Sequence, residues 1–270
     1  MEPDKQDAKS EEGFEGKIHA VAELVKAVPI YQDAIRPLAK EAGKALELVG
    51  RTVNAALAPI RGAVWGIEQI EAFVTVKVSE RLKDVPIGEI VTPDLSVAGP
   101  VLESLRFAGH KEKLCEMYAN LLAASMTNSV ASSAHPGFVE IIRNLCSDEA
   151  KLLSYIWRES KVAFIDVRRI KVVDQSFRVF LEFVSTAADN AGCEDIESTP
   201  AYVTNLQRLG LVFIDKTYRL AGDAYNEILE DEGFKENLKA NNDAEHITET
   251  LKYVVEISPL GAQFCKICVG

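Results

Sequence analysis

The sequence predicts a mainly α fold, in which an N-terminal helical bundle with long heptad-patterned helices is followed by a small α+β winged-helix-like domain. Two observations support this prediction. Apolar residues recur every seven positions through residues 42–74, as they do in packed helices. After residue 147, β-branched and aromatic runs alternate with helical segments, which is typical of a small α+β domain. We expect a disordered tail at 1–16, a helical bundle at 17–146 and the winged-helix-like domain at 147–270.

The heptad pattern consists of two interleaved series, one of branched aliphatic residues and one rich in alanine. The first series is Leu46, Val53, Ile60, Ile67 and Val74, and the second is Ala42, Val49, Ala56, Ala63 and Ile70. Small residues let a second helix approach closely, so we expect a helix hairpin or an oligomeric bundle, with a kink near Pro59. The predicted residues for self-association or lipid contact are Leu46, Val53, Ile60, Trp65, Ile67, Phe73 and Val74.

The same helices offer a membrane-contacting alternative. The sequence has no run of about 18 uncharged apolar residues, so it predicts no membrane span. The segment 38–82 would instead lie on lipid through one stripe, formed by Leu57, Val64, Trp65 and Phe73. Around Trp65 the polar face carries Glu68 and Glu71 along with Arg61, and it lacks the lysine-rich bias of surface-seeking helices. Packing against protein is therefore favoured over lipid.

The segment "PDLSVAGPVLESLRFAG", residues 93–109, raises the question of a phosphate-binding glycine loop. Such a loop needs clustered glycines before a helix, whereas Gly99 and Gly109 are ten residues apart and Pro100 lacks an amide donor. Residues 82–100 are proline-rich and predict a loop, with helical periodicity from Pro100 onward. We interpret the segment as a helix entrance, with Asp94 as the cap, Pro100 in the first turns and Gly109 at the end. Helices are also predicted for "KEKLCEMYANLLAASM" and, after the turn "HPGF", for "VEIIRNL".

The second half mixes helices and strands. Ser147 is predicted to cap a helix, and Thr199-Pro200 another, "PAYVTNLQRL", which Gly210 ends. "VAFIDVRRIKV", "LVFID" and "KYVVEIS" are predicted strands, and "SFRVFLEFVSTAAD" a helix. Ser258-Pro259 begins a last helix, "PLGAQFCKIC". This order matches a winged helix with a helical insertion at about 217–249 in place of the wing.

A winged helix suggests DNA, but the charges disfavour it. Residues 145–270 contain 14 Lys and Arg against 21 Asp and Glu, and the whole chain has a formal net charge of -11. The presumed recognition helix presents Tyr202, Asn205 and Arg208, of which only Arg208 is a cation. DNA readers need several phosphate contacts. We therefore expect these three residues to form a protein-interaction face, with nucleic acid an unfavoured partner.

No catalytic or metal-binding constellation stands out in the sequence. Cys265 and Cys268 form a C-x-x-C pair, but no second pair or nearby histidine accompanies them, and positions three apart on a helix share a face. Two buried thiols are the favoured interpretation, and zinc binding or thiol exchange the alternative. The four histidines are scattered, and neither a nucleophile elbow nor a P-loop is present. We expect a non-enzymatic protein without a cofactor.

Three segments resemble the abortive-infection alpha family of bacterial proteins. They are "VPIYQDAIRPLAKEAGKALE", "PDLSVAGPVLESLRFAGHKEKLCEMYANLLAASM" and "HPGFVEIIRNLCSDEAKLL", which together cover roughly residues 28–155. "LQRLGLVFID" and "ISPLGAQFCKIC" also resemble the way such proteins end. The resemblance implies a bacterial protein of defence against phage, and it implies no catalytic residues.

The expected function is therefore anti-phage defence through self-association, forming a homo-oligomer, and through protein partners, including a protein encoded nearby. Five cysteines and no apolar leader indicate free thiols in the cytoplasm. The alternatives are a membrane-associating effector, with peripheral contact through 38–82, and a winged-helix DNA-binding regulator.

Overall fold

The computed structural model describes residues 67–108 and 111–270 of the chain. Clustering of contacts divides the chain into two units, Met1–Thr92 and Pro93–Gly270, and each is described by itself. Within the described residues the protein is rich in helices and contains a four-stranded antiparallel sheet. The prediction of a mainly α protein with an α+β part is confirmed at this level. The predicted tail at 1–16 lies outside the described residues, and the predicted boundary at 146/147 remains a prediction.

The elements follow one another in this order: α1 (Ile67–Leu82), α2 (Leu95–Ala108), α3 (Glu112–Ser125), α4 (Gly137–Arg143), α5 (Ser147–Glu159), β1 (Lys161–Lys171), β2 (Phe177–Val184), α6 (Ala187–Asn190), α7 (Thr199–Arg208), β3 (Val212–Asp215), α8 (Asn226–Glu230), α9 (Glu232–Ala240), β4 (His246–Ile257) and α10 (Pro259–Cys268). Two short 3-10 turns, Ile87–Glu89 and Ala131–Ser133, lie between helices.

The first unit contains the 3-10 turn Ile87–Glu89 and helix α1. Its first turn carries the acidic Glu68 and its last turn the basic Arg81, charges that complement the helix dipole. Of the residues predicted for self-association or lipid contact, Ile67 begins α1, Phe73 is partly buried and Val74 is buried. The other four lie outside the described residues: Leu46, Val53, Ile60 and Trp65.

In the second unit, α2 begins at Leu95, so residues 95–99 are helical and the predicted loop ends earlier than expected. The cap prediction is confirmed, because Asp94 Oδ1 accepts a 2.7 Å bond from the Ser96 amide and satisfies one of the free donors of the first turn. Pro100 is the sixth residue of the helix, so it lacks the amide that would otherwise bond to the Ser96 carbonyl. Gly109, predicted to end the helix, lies outside the described residues.

Helix α3 is central to the second unit. It contacts α2, α4, α5 and α10, and most of its side chains are buried. Its Asn120 Nδ2 donates a 2.8 Å bond to the carbonyl oxygen of Cys268 at the end of α10. The last helix is therefore fixed against the helices that precede the sheet.

The strands form one sheet in the order β2-β1-β4-β3. Strand β1 pairs with β4 along its whole length, from Lys161 opposite Glu256 to Lys171 opposite His246. The strands predicted within 162–172, 211–215 and 252–258 are confirmed, with β4 starting earlier than predicted.

The helix predicted for residues 176–189 is wrong, because residues 177–184 form strand β2. The physical reason is a period of two, with apolar Phe177, Val179, Leu181 and Phe183 at alternate positions. A turn in which Gln175 adopts a positive φ of 59 joins this strand to β1. β1 and β2 therefore form an antiparallel hairpin.

Two helix caps differ from the prediction. Helix α5 is capped by Cys146 and not by Ser147: the Cys146 sulfur accepts from the Glu149 amide, and the Glu149 carboxylate accepts from the Cys146 amide at 2.7 Å. Helix α7 has Ser198 at its cap position, and Thr199 is its first helical residue. The cap predicted for α10 is confirmed, since Ser258 Oγ accepts from the Gly261 amide at 2.8 Å.

Two glycines meet conformational needs that other residues would not. Gly210 ends α7 with a φ of 73, as predicted. A Cβ on Gly261 would lie 1.9 Å from the carbonyl oxygen of Leu211, so the start of α10 packs directly on the backbone that precedes β3.

The predicted helical insertion between the last two strands is present as α8 and α9. These helices cover one face of the sheet through Tyr225, Ile228 and Phe234, which pack with Ile165 and Val167 of β1. The covered part is the inner end of the hairpin. Beyond it lies the part of β1, β2 and β4 next to the β1–β2 turn, which we call the outer end of the sheet. This outer end carries the candidate site.

Candidate functional site

The outer end of the sheet has two chemically different faces. Successive side chains of a strand alternate between faces, and residues directly opposite share a face. The pairs Ile170–Phe177 and Ile170–Ile247 place three apolar residues on one face, with Val179 opposite Arg168 beside them. We call this the apolar sheet face, formed by Ile170, Phe177, Val179 and Ile247.

Exposed apolar side chains are concentrated on this face and at the adjoining turn. On the face, Phe177 is 57% exposed, Ile247 49% and Val179 38%, and in the turn Val173 is 84% exposed. Arg168 lies 4.5 Å above the Phe177 ring and 4.0 Å from Glu249, so its charge is already partnered. A contiguous exposed apolar surface of this kind is typical of a protein-binding site.

The opposite face holds cations. A cleft of about 320 Å³ is lined by Arg169, Lys171, Ser176, Phe177, Arg178 and His246, and we call it the cationic cleft. Arg169 Nη2 donates to Asp243 Oδ2 at 2.8 Å, and its Nε donates to the carbonyl of Asn241 at 3.1 Å. The β4 end of the cleft is therefore anchored to the segment that follows α9.

Asp243 is the acidic centre of that anchor. Besides Arg169, its carboxylate accepts from the amides of Glu245 and His246 at 2.8 Å each and lies 3.0 Å from His246 Nδ1. The Glu245 amide and then His246 lower the pKa of Asp243 to about 2. The carboxylate is thus an anion throughout the physiological range, and its role is to hold Arg169 and the imidazole in place.

A second polar cluster lies deeper in the sheet, around a carboxylate that is 1% exposed. Asp166 Oδ1 accepts from the Tyr253 hydroxyl at 2.8 Å and from the Phe183 amide at 3.1 Å, and Oδ2 accepts from Lys216 Nζ at 2.6 Å. Burial, and then the bond to Asp166, raise the pKa of Tyr253. Every polar group in this cluster has a partner, which indicates a structural role.

Strand β2, at the edge of the sheet, is interrupted by bulges. The register shifts between Ile165 and Val167 and again between Val167 and Arg168 of β1, and Phe183 has a positive φ of 56, which is unusual for a bulky residue. Its amide is held by Asp166. Bulges twist an edge strand away from pairing with another strand, so this part of β2 is a poor template for further strand pairing.

The predicted interaction residues on α7 make contacts inside the fold. Tyr202 lies 3.4 Å from Asp148 Oδ2, and Asn205 Nδ2 donates to Glu149 Oε1 at 2.8 Å and to the Asn144 carbonyl at 3.0 Å. Arg208 is exposed and donates to Asn205 Oδ1 at 2.7 Å. Tyr202 and Asn205 thereby join α7 to the start of α5.

Asp148 is the acceptor at the centre of that junction. It accepts from the amides of Glu194 and Asp195 and from Lys151. Burial by itself would raise the pKa of Asp148, but these donors hold it below its usual value. Burial and then the Asp148 charge raise the pKa of Tyr202 to about 12.

The C-x-x-C pair is buried, as the sequence interpretation favoured. Cys265 and Cys268 are both 0% exposed in α10, and burial raises the pKa of Cys265 to about 12 and that of Cys268 well above its usual value. Within residues 67–108 and 111–270, no three His, Cys, Asp or Glu side chains are grouped as metal ligands. In the same ranges no helix combines the length and the apolar character that crossing a bilayer requires.

Sequence reasoning missed both faces of the outer sheet end. The residues that form them come from three strands, and one strand had been predicted as a helix. The signal that would have revealed them was the alternation in "FRVFLEFV" following the basic run "VRRIK". Read as a hairpin, these two segments place exposed apolar residues on one face and cations on the other.

Comparison with known proteins gives one family match. A family model described as abortive infection alpha matches residues 67–268. A solved structure of an uncharacterized protein from the hydrocarbon-degrading marine bacterium Alcanivorax borkumensis SK2 has 18% sequence identity and a TM-score of 0.35, with 53% of this chain and 96% of that chain covered. No curated protein matches.

Proposed function

The chain belongs to the abortive infection alpha family, and from that premise we propose that it is a bacterial anti-phage protein that acts by binding other proteins and without catalysis. Membership of an abortive-infection family supports a role in defence. The observation that carries the binding mode is the apolar sheet face. The partner that binds the apolar sheet face is another protein, which presents an apolar surface of its own.

The chemistry of this face supports a protein partner over a lipid one. Anionic membranes attract surfaces that combine apolar side chains with free lysines and arginines. The cation on the apolar sheet face is Arg168, and it is stacked on Phe177 and close to Glu249. Glu249 is itself exposed and adds a negative charge. A neutral protein surface fits such a face better than an acidic bilayer.

Self-association is the second part of the proposal, and it rests on the seven-residue series of the N-terminal region. Residues of the alanine-rich series allow close helix approach, and a homo-oligomer would present several apolar sheet faces at once. Multiple copies raise the effective concentration of each site. We place this assembly in the cytoplasm. The membrane-associating effector through 38–82 is the alternative that vesicle flotation would test.

The winged-helix interpretation is also part of the proposal. The sheet order β1-β4-β3, with α5 before β1 and α7 before β3, supports it. In such a module α7 would be the recognition helix. Tyr202 and Asn205 of α7 bond to Asp148, Glu149 and the Asn144 carbonyl, and Arg208 is the one basic residue within α7. That composition supports a protein-interaction or structural use over DNA readout.

The proposal is tested by a defence assay with charge introduced on the apolar sheet face. Val179→Asp and Ile247→Asp each place a carboxylate there, and Ile196→Asp is the matched control because Ile196 is 45% exposed elsewhere on the surface. We expect the first two variants to fold and to lose protection against phage, and the control to protect. Full protection by both face variants would refute the assignment of the partner surface.

Self-association is tested by light scattering on the purified full chain. We expect an oligomer that Leu46→Asp and Ile60→Asp dissociate. A strict monomer at micromolar concentration, together with no partner retained from infected cells, would remove the support for a binding function. Sedimentation with vesicles that depended on residues 38–82 would support the membrane alternative instead.

A further inference from the structure

The arrangement of charges in the cationic cleft is not explained by the stability of the sheet. Arg169 of β1 and Arg178 of β2 are directly opposite each other, and Lys171 is on the same face, two residues along β1. Like charges directly opposite in an antiparallel pair are destabilising. A chain with net charge -11 nevertheless places three cations together here.

The neighbouring acidic groups neutralise part of this cluster. Asp243 pairs with Arg169 at 2.8 Å and lies 3.0 Å from His246. Glu249 is on the opposite face beside Arg168, and Asp174 accepts from the amide and the hydroxyl of Ser176 at 3.0 and 2.6 Å. Among the described residues, Lys171 and Arg178 have no ion pair. Two exposed positive charges therefore face the cleft without a direct ion pair, and the Asp174 carboxylate interacts electrostatically with Lys171.

The size of the cleft and the charge of the surrounding protein favour a small anion over a long polyanion as the ligand of the cleft. A cleft of about 320 Å³ lies at the small end of the range for small-molecule sites, about 300–1,000 Å³. A long polyanion would extend over a surface that is acidic on average, and would lose the advantage of the local cations. A single phosphate group needs only the local cations. Arginine and lysine are the usual ligands of such a group.

We propose that the cationic cleft is a binding site for a small phosphate-bearing molecule, whose phosphate lies between Lys171 and Arg178. Arg169, fixed by Asp243, provides the third positive charge, and His246 lies at the β4 side of the same cleft. The bound anion removes the repulsion between Arg169 and Arg178, so binding stabilises the hairpin. Phe177 borders both the cleft and the apolar sheet face, but the cations that hold the phosphate lie on the other face of the sheet, and the site does not depend on the proposed protein partner.

The test is calorimetric titration of the full-length protein with pyrophosphate and with ADP. Wild-type protein is expected to bind at least one of them, with an affinity that falls as salt rises. Lys171→Gln and Arg178→Gln are each expected to weaken binding by about tenfold, the effect of losing one charge-assisted bond. Lys239→Gln, which removes an exposed cation from α9, is the matched control and should change affinity by less than about twofold.

A second measurement separates loss of binding from loss of folding. Because Arg178→Gln removes a like-charge contact with Arg169, its urea midpoint without ligand should equal or exceed that of the wild type. Pyrophosphate should raise the wild-type midpoint and leave that of Arg178→Gln unchanged. A lower midpoint for Arg178→Gln without ligand would contradict the proposed repulsion.

Two further probes distinguish the source of the phosphate. Vesicles containing phosphatidylglycerol test a lipid headgroup, and a DNA oligonucleotide tests a polymer backbone. The proposal would be overturned if the protein bound the vesicles or the oligonucleotide and pyrophosphate did not displace them. It would also be overturned if no probe bound at millimolar concentration. Equal weakening by Lys239→Gln would do so as well, because the effect would then reflect total charge. None of these results depends on protection against phage, so the site and the proposed function can fail separately.

Discussion

Lys216 Nζ lies 2.6 Å from Oδ2 of Asp166, and the two side chains differ sharply in exposure: the lysine is 53% exposed and the carboxylate 1%. The pair joins the segment after β3 to the middle of β1. The same carboxylate accepts from Tyr253 of β4 and from the Phe183 amide of β2. One buried acidic group therefore links four parts of the sheet domain.

This relationship predicts unequal effects of mutating the two partners. Asp166→Ala leaves the Tyr253 hydroxyl and the Phe183 amide without an acceptor, and should lower the free energy of unfolding by about 3–5 kcal/mol. Lys216→Met keeps both of those bonds and removes a half-exposed cation, and should cost about 1–2 kcal/mol. Urea unfolding of both variants gives the comparison. Equal losses would show that the ion pair, and not the buried hydrogen bonds, dominates.

Two glycine substitutions should have unequal effects on stability. Gly261→Ala places a Cβ against the Leu211 carbonyl, which forces the start of α10 to move and should cost about 1–3 kcal/mol. Gly99 lies inside α2 directly before Pro100, whose ring disfavours a Cβ on the helical residue before it, so the helix propensity that Gly99→Ala gains is offset and stability should change by less than about 0.5 kcal/mol. Thermal unfolding of the two variants measures both. A stabilising Gly261→Ala would contradict the observed close approach.

The cap of α5 predicts that a serine is better than the native cysteine. The Cys146 sulfur accepts from the Glu149 amide at 3.4 Å, and a hydroxyl is a stronger acceptor at a helix cap. Cys146→Ser should raise the free energy of unfolding by a few tenths of a kcal/mol, and Cys146→Ala should lower it by about 1 kcal/mol. Denaturant unfolding of both variants measures these changes. A Cys146→Ser variant less stable than Cys146→Ala would show that the sulfur is held by packing and not by the cap bond.

The buried thiols predict a loss of stability at high pH. The folded pKa of Cys265 is raised to about 12 from an ordinary 9.0, so the neutral thiol is favoured by folding. This contribution is complete below pH 9, where both states are protonated, and is lost as pH rises from 9 towards 12. Cys265→Ala should therefore flatten the stability profile in that window. An unchanged slope would indicate that Cys265 is accessible to water.

Replacing two neighbouring polar residues of α7 by alanine should lower the free energy of unfolding by different amounts. Asn205→Ala removes bonds to the Asn144 carbonyl and the Glu149 carboxylate and should cost about 1–2 kcal/mol. Arg208→Ala removes an exposed side chain that bonds only to Asn205 in the described contacts, and should change stability by less than about 0.5 kcal/mol. Equal effects would place Arg208 in the fold as well.

Much of the helical part of the fold could be predicted from sequence because its signals are local. The Asp94 and Ser258 caps, the Gly210 stop and the apolar stripe of α3 each lie within a few residues of the element they define. The α5 cap was missed because cysteine rarely has that role, whereas Ser147 beside it belongs to the residues preferred at caps.

The candidate site could not be predicted because it depends on register. Nothing local in the sequence says that Arg169 is opposite Arg178, or Ile170 opposite Phe177 and Ile247. These neighbours follow from pairing β1 with strands on both sides, and apolar Phe180 and Val184 at the intervening positions obscured the period of two in β2. Once residues 176–189 were interpreted as a helix, neither face could be recognised.

The long pairing of β1 with β4 has a consequence for how the protein is made. Lys161 is paired with Glu256, so the central strand of the sheet is synthesised well before its principal partner. During translation β1 has only the bulged β2 to pair with, and contacts so distant in sequence slow folding. The four-stranded sheet is therefore expected to complete its folding only after the last residues leave the ribosome. A ribosome-stalled chain that ends before β4 should be cleaved rapidly by protease within β1.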